Sequence, residues 1–221
     1  MKRALLLVGS PKMERSTSNS IVVYLGMKLA EYGMNIEKMF THRMDDASNL
    51  ESLLSSVDSS DLVFLSTPLY VDSLPAPVMR VLQSIAIHRT QRSESTSPLF
   101  GVIINSGFPE AHQNDCVIEI CRLFAKRADL TWAGGIAFGG GGAINGVPIE
   151  KAQGINRFLK PALNMTAKAL SKGEPIPQDA ISLAAKPIVP TRMYFMIASR
   201  RLKSAAKHYG VEKTLGARPF E

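Results

Sequence analysis

The sequence predicts an α/β protein built on a doubly wound parallel sheet. Short apolar runs alternate along the chain with longer segments whose apolar residues recur at helical spacing. The apolar runs show little polar alternation, which is typical of strands buried on both faces of a parallel sheet. Five strands that alternate with five helices give this architecture, and the right-handed rule for crossovers leaves few topologies.

Each element has its own signal, in chain order. The first strand is predicted over 4–8 and ends at Gly9, and the helix that follows over 19–32 ends at Gly33, because glycine commonly follows the last helical turn. The other strands are predicted over 34–40, 61–66, 99–104 and 130–138. The other helices are predicted over 48–57, 75–87, 115–128 and 149–170.

Composition describes an ordinary globular chain with a basic tail. The chain has 221 residues, of which 45% are apolar, and this share argues against a largely disordered protein. Lys and Arg exceed Asp and Glu by 26 to 19, which gives a net charge of +7. Residues 187–221 hold seven basic and two acidic residues, so this tail carries +5 and the rest only +2. Any basic partner surface is therefore expected in the tail.

Targeting and cysteine patterns favour a cytoplasmic protein. No apolar run approaches the roughly 20 residues of a membrane helix, and the apolar start is too short for a signal peptide.

Cys116 and Cys121 lie five residues apart on a predicted helix, about 7.5 Å along its axis and on different faces. We therefore expect no disulfide and no metal site, and we expect both thiols to be buried as small apolar groups.

Two regions are predicted along the chain. Residues 1–172 form the α/β domain, and residues 173–221 form a proline-containing linker followed by a basic helical tail, with a helix candidate over 193–208. The tail helix is expected to pack on its own domain or on a dimer partner. An anionic membrane surface is the alternative, and nucleic acid is the least favoured partner because no recognition motif accompanies the charge.

Ligands of open α/β sheets bind beyond the carboxyl ends of the strands, so the loops there are the candidate site. The loop after the first strand is rich in hydroxyls before a helix N-terminus, where free N–H groups and the helix dipole favour phosphate. Its candidate ligands are Ser10, Lys12, Ser16, Thr17 and Ser18. Simple helix capping would explain one of these hydroxyls, and we favour a phosphate site.

Three further loops follow strands. Pro68, Leu69, Tyr70 and Val71 lie after the third strand, where apolar groups suit a flat aromatic ligand or packing against another surface. Asn105, Ser106 and Gly107 follow the fourth strand and either bind the polar edge of a ring or form a plain turn. The glycine run 139–142 follows the fifth strand and permits close backbone approach or a flexible link.

Other enzyme classes lack their motifs. The first loop is neither a dinucleotide fingerprint nor a P-loop. No GxSxG segment exists, the four histidines are scattered, and the third strand ends in Ser66 and Thr67 without the aspartate of a phosphoacceptor domain.

The chain resembles the flavodoxin-like NAD(P)H-dependent FMN reductases, in the branch allied to iron–sulfur flavoproteins. The resemblance rests on the segments 9–12 with 16–18, 68–75 and 105–110, and it covers roughly residues 1–172. It implies a strand order of 2-1-3-4-5 and FMN as the cofactor. Ser10, Ser16, Thr17 and Ser18 would hold the FMN phosphate, residues 68–71 would border the flavin ring, and residues 105–107 would line its other edge. The chain lacks the cluster cysteines of that branch, and its tail is basic where electron-carrying flavodoxins are acidic.

The resemblance also implies a function. NAD(P)H would pass a hydride to the flavin, and the reduced flavin would deliver electrons to a quinone, a flavin or another small acceptor. The chemistry would lie with the flavin, so no catalytic side chain is expected. Lys12 and Arg15 are candidates to pair with a phosphate of FMN or of the nicotinamide nucleotide. The resemblance also implies a homodimer, because related proteins are commonly dimers. The alternative function is a non-enzymatic FMN-binding electron carrier or a redox-responsive interaction protein.

Overall fold

Within the described residues five strands alternate with five helices close to their predicted positions, and two more helices follow, of which the one at Gln178–Ala184 is not predicted from the sequence. The computed structural model describes residues 1–91, 97–152, 154, 156–188 and 190–218. The strands are β1 (Arg3–Val8), β2 (Asn35–Phe40), β3 (Leu62–Pro68), β4 (Leu99–Asn105) and β5 (Thr131–Phe138). The helices of the described residues are α1 (Thr17–Glu31), α2 (Ala47–Asp58), α3 (Ala76–Thr90), α4 (Asp115–Arg127), α5 (Asn156–Lys172), α6 (Gln178–Ala184) and α7 (Thr191–His208).

The strands form one all-parallel sheet with the order β2-β1-β3-β4-β5. This order is that of flavodoxin-like doubly wound folds, and it confirms the fold class that the sequence predicts. In such a sheet the chain reverses its direction of winding between β1 and β3, which is where ligands bind.

Two apolar cores cover the two faces of the sheet. Alternate residues of β1, such as Leu5 and Leu6, enter opposite cores, which is why this strand reads as a continuous apolar run. Helices α1, α5 and α6 pack on one face, and α2, α3 and α4 pack on the other. The edge strand β2 is less buried than β1, as its more polar sequence leads one to expect.

The first compact unit extends to Ile188, beyond the expected boundary at residue 172. Ile176 fills a hollow beside Gly134, where an added Cβ would lie 3.2 Å from the Ile176 Cβ. The Ile176 N–H also donates to the Ala133 carbonyl at 2.7 Å, next to the irregularity between β4 and β5. The segment that resembles a linker therefore belongs to the folded unit because glycines in the sheet make room for it.

The helix expected over 149–170 begins later. A short 3-10 turn occupies Ile149–Lys151, and Gly154 takes the left-handed φ of +82° before α5 begins at Asn156. The intervening residues 153 and 155 lie outside the described residues.

The expectation that both cysteines are buried is wrong for one of them. Cys121 is buried in the core beneath α4, and burial raises the pKa of its thiol to about 12. Cys116 is exposed, because it follows Asp115 at the outward side of the first turn of the same helix. The two thiols thus lie on different faces of α4, as expected for residues five positions apart on a helix.

Residues 189–221 form a second unit, within which α7 and a short 3-10 turn at Glu212–Thr214 are described. The α7 helix has five Lys or Arg residues and no acidic residue. No described helix is both long enough and apolar enough to span a bilayer.

Candidate functional site

A small cavity lies at the carboxyl ends of β1, β3 and β4, where the fold predicts a ligand site. Its volume is about 180 Å³. Four loops meet there, and they contribute Ser10, Lys12, Ser16, Thr17, Ser18, Pro68, Leu69, Tyr70, Asn105, Ser106, Gly107, Gly141, Gly142 and Asn145.

Eleven of the twelve residues predicted to bind the cofactor line this cavity. The exception is Val71, whose side chain is 97% exposed at the tip of a turn. The convergence of the other eleven residues is a property of the fold, and their role toward a cofactor stays a prediction.

The start of α1 forms the floor of the cavity. The Ser16 hydroxyl oxygen accepts the Asn19 N–H at 3.0 Å and caps the helix, while its hydrogen goes to the Met13 carbonyl at 2.6 Å. The N–H groups of Thr17 and Ser18 find no acceptor within the described part of the chain. Helix starts leave such donors free, and here they lie beside the cavity.

Two of the predicted hydroxyls are already used within the protein. The Thr17 hydroxyl donates to the Gly141 carbonyl at 2.7 Å and ties α1 to the loop after β5. The Ser16 hydroxyl serves the helix cap. Each hydroxyl has one hydrogen, so neither of these can donate to a ligand without first breaking a bond within the protein.

Ser10 and Ser18 keep their hydroxyl hydrogens. The Asn105 amide donates to the Ser18 hydroxyl at 3.0 Å and to the Thr67 carbonyl at 3.1 Å, so Ser18 acts there only as an acceptor. The Ser10 hydroxyl accepts the Lys12 N–H at 3.3 Å. Both hydroxyl hydrogens can therefore point to a ligand.

Asn105 sits between α1 and the glycine run. A Cβ on Gly141 would lie 2.8 Å from the Asn105 amide oxygen, closer than real Cβ atoms come. Gly141 therefore allows the loop after β5 to approach Asn105, and Asn105 in turn fixes the Ser18 hydroxyl. The amide serves the packing of these loops, and the role of Asn105 at the edge of a ring stays a prediction.

The electrostatics of the cavity favour an anion. Lys12 lies at its rim, α1 directs its positive N-terminal end into it, and the first turn of α1 holds no acidic residue. No Asp or Glu occurs among the described residues that line the cavity. The arrangement of free N–H donors, hydroxyls and one cation suits a phosphate.

A second hollow adjoins the first, and it holds the other predicted cation. Its lining includes Lys12, Glu14, Arg15 and Asn145. Glu14 is paired with Arg43 at 3.1 Å, so its charge is partly compensated. Arg15 thus lies next to the cavity without lining it.

One side of the cavity is apolar and firmly placed. The Leu69 N–H donates to the Asn105 carbonyl at 2.8 Å, which extends the pairing of β3 and β4 by one residue. Leu69 also packs against the buried core, while Tyr70 is half exposed beside it. With Pro68 they form a wall against which an aromatic ring can pack.

The cofactor site predicted from the sequence omits Gly141, Gly142 and Asn145. The glycine run permits close backbone approach, but a flexible link is equally consistent with its sequence. Asn145 and Gly146 both take left-handed φ angles, of +43° and +83°, which is the conformation that an Asn-Gly pair favours. That dipeptide is the signal that marks a sharp turn beside the site.

The turn at Tyr70–Ser73 carries backbone strain. Val71 and Asp72 have φ angles of +47° and +57°, and reciprocal N–H to carbonyl bonds of 2.9 and 3.1 Å join Tyr70 and Ser73. These are the features of a two-residue hairpin turn that prefers Asn-Gly. A β-branched residue with positive φ is an outlier, so the turn stores strain next to the site.

Replacing the strained valine should stabilise the protein. Val71→Asn is expected to raise the free energy of unfolding by about 1 kcal/mol, because asparagine tolerates the left-handed region. Urea unfolding measures this change. Val147→Asn is the control, since Val147 is an exposed valine outside the set with positive φ. Equal effects of the two changes would show that the backbone of Val71 is not strained.

Comparison with known proteins establishes the fold. No family model matches the chain, and no curated protein matches it. RosB, whose structure holds the intermediate 8-demethyl-8-formylriboflavin-5'-phosphate, is similar with a TM-score of 0.59 and 12% identity over 91% of this chain and 87% of RosB. An azoreductase from Bacillus anthracis is similar with a TM-score of 0.51 and 13% identity, over 78% of this chain and 100% of the azoreductase.

A flavone reductase is also similar, with a TM-score of 0.57 and 11% identity. The match covers 77% of this chain and 62% of the flavone reductase, so the chain spans less than two thirds of that protein's length. Identities this low support a shared fold and nothing finer. The expected resemblance to flavodoxin-like reductases is thereby confirmed at the level of the fold.

Proposed function

We propose that this protein is an FMN-dependent oxidoreductase that passes electrons from NAD(P)H to a quinone, a flavin or another small acceptor. One observation carries the proposal. At the start of α1, two free N–H groups and the hydroxyls of Ser10 and Ser18 surround a cavity with a lysine at its rim. This donor set fits the phosphate of FMN, at the place where doubly wound sheets bind ligands.

The size of the cavity agrees with a phosphate-end site. Pockets that enclose a whole small-molecule ligand measure about 300–1,000 Å³. The cavity measures about 180 Å³ and continues on one side into the apolar wall of Pro68, Leu69 and Tyr70. A ligand with a small anionic end and a larger flat end is favoured by this combination.

When bound, FMN supplies the hydride and electron transfer chemistry, and the protein's residues bind and orient it. Lys12 and the helix dipole of α1 compensate the phosphate charge. Asn105 holds Ser18 so that its hydroxyl hydrogen stays available to the phosphate. Leu69 and Pro68 offer an apolar surface that excludes water from one side of the site.

The activities and the ligand described for the structural neighbours support the same class of reaction. A flavone reductase and an azoreductase share the fold, and RosB holds a riboflavin phosphate derivative in its structure. These are properties of those proteins, and they add weight to a flavin site in this chain. The NAD(P)H donor, the small acceptor and the homodimer stay predictions.

Visible spectroscopy tests the proposed reaction. The purified protein is saturated with FMN, washed free of unbound flavin, and treated with NADPH or NADH without oxygen. We expect a retained yellow flavin absorbance that bleaches with one of the two nucleotides. Free FMN at the same concentration, which the nucleotide reduces far more slowly, is the control.

The same experiment separates the two functional classes. Retained flavin that neither nucleotide bleaches would favour the electron carrier, which another protein must reduce. Loss of all flavin during washing would contradict the flavin site itself.

A further inference from the structure

The α7 helix carries two surfaces that the proposed flavin site does not use. At 100° per residue, its apolar side comprises Tyr194, Phe195, Ala198, Leu202 and Ala205 within an arc of about 100°. The large members of this side are not buried, since Phe195 is 51% exposed and Leu202 is 68% exposed. Exposed aromatic and aliphatic side chains on one side of a helix need an explanation.

Most basic residues of α7 lie on the side of the helix away from this apolar side. Four of the five Lys or Arg residues fall within an arc of about 80°, namely Arg192, Arg200, Lys203 and Lys207, and Arg201 borders the apolar side. No acidic residue interrupts α7, so none of its cations is paired within the helix. The helix therefore presents an apolar side and, largely opposite it, a positive side without acidic residues.

We propose that α7 binds the surface of an anionic lipid membrane, lying in the plane of the interface. A helix with an apolar side and a basic side binds such surfaces by burying the first among the acyl chains and pairing the second with headgroups. Charge decides between occupants. Arg201 borders the apolar side, so a second copy of α7 packed there would bring like charges together, whereas an anionic lipid surface neutralises the five cations of the helix.

This surface would bring the protein to the membrane without a lipid anchor. Binding rests on two modest contributions, so it is reversible and sensitive to ionic strength. The proposal concerns α7 alone and holds whether or not the cavity binds FMN.

Vesicle flotation of the full-length protein tests this proposal. The vesicles contain phosphatidylcholine alone or phosphatidylcholine with phosphatidylglycerol, at low and high salt. We expect flotation with the anionic vesicles at low salt, at least tenfold weaker binding at high salt, and none with phosphatidylcholine alone. Lack of flotation with anionic vesicles at low salt overturns the proposal.

Paired variants test the basic side of the helix. Lys203→Gln with Lys207→Gln should weaken vesicle binding about 25-fold, at about fivefold for each basic residue. The control pair is Lys126→Gln with Arg127→Gln, which removes two exposed charges from α4. Equal losses from both pairs would mean general charge attraction and would overturn the assignment to α7.

The apolar side has a control on the same helix. Phe195→Ser with Leu202→Ser should weaken vesicle binding at least tenfold, because it removes the side chains that enter the acyl region. Met193→Ser should leave vesicle binding unchanged, since Met193 is 41% exposed and lies on the side of the helix opposite Leu202. Binding unchanged by the Phe195 and Leu202 changes would overturn insertion.

Self-association is measured alongside, by sedimentation of the same proteins without vesicles. An oligomer that the Phe195 and Leu202 changes dissociate, together with absent vesicle binding, would assign the apolar side to a second copy of the chain and overturn the membrane proposal. Helix content by circular dichroism confirms that each variant is folded.

Discussion

Ser18→Asp is expected to weaken FMN binding about a thousandfold. The carboxylate would stand at the second residue of α1, where the Ser18 N–H and hydroxyl face the cavity. Two like charges about 4 Å apart repel by about 4 kcal/mol at an effective dielectric constant of 20, which corresponds to about three orders of magnitude in affinity. Fluorescence titration of FMN measures the change.

Ser18 is 1% exposed, so burying a carboxylate there costs stability, and urea unfolding checks that the variant is folded before FMN is titrated. An acidic side chain in the first turn of a helix is favoured by the helix dipole, and the Asn105 amide that donates to Ser18 can donate to a carboxylate. Ser18→Asn is the matched control, because asparagine has the size of aspartate without its charge. FMN affinity that Ser18→Asp leaves unchanged would place the phosphate elsewhere.

Arg89→Met is expected to lower the free energy of unfolding by about 3–5 kcal/mol, a range typical of breaking a buried ion pair. The Arg89 side chain is fully buried. Its guanidinium donates to the carbonyls of Ala128 and Asp129 at 2.7 and 3.1 Å and to Asp58 at 3.2 Å. The substitution removes these donors and leaves the Asp58 carboxylate without its buried cation.

A surface arginine on the same helix gives the control. Arg80 pairs with Asp45 at 3.3 Å, and both side chains are well exposed. Arg80→Met should change the free energy of unfolding by at most about 1 kcal/mol, because water and ions screen exposed pairs. Urea unfolding compares the two variants. A loss below about 1 kcal/mol for Arg89→Met would show that this buried network contributes little to stability.

Much of the fold could be predicted because each strand carries its own local signal. The apolar runs of β1, β3 and β4 mark strands buried on both faces, and the loops at their carboxyl ends are recognisable in the sequence as the candidate site. Those loops do converge on the cavity. Val71 is the exception, because the direction of a side chain in a turn depends on backbone angles that the sequence does not disclose.

The use of each hydroxyl could not be predicted, since it depends on distant partners. Thr17 donates to Gly141, which is 124 residues away along the chain. Ser18 receives a hydrogen bond from Asn105, 87 residues away. In the sequence all these hydroxyls look equivalent, and only the fold separates those that support the loop from those that face the cavity.

The domain boundary and the buried ion pair could not be predicted for similar reasons. Residues 173–177 carry the glycine and prolines of a linker, but Ile176 occupies space left by Gly134 of β5. Arg89 and Asp58 lie on different helices and look like ordinary surface charges. The boundary and the ion pair both depend on which faces of distant helices and strands pack together. Composition and local spacing carry no information about that packing.

The most direct test of the proposed flavin site compares the affinities of FMN and riboflavin by fluorescence quenching. The two ligands differ only in the phosphate, which two or three charge-assisted hydrogen bonds would hold at about 1.5–3 kcal/mol each. We predict that FMN binds at least about 100-fold more tightly than riboflavin. Equal affinities, or no binding of either ligand, would contradict a phosphate site at the start of α1.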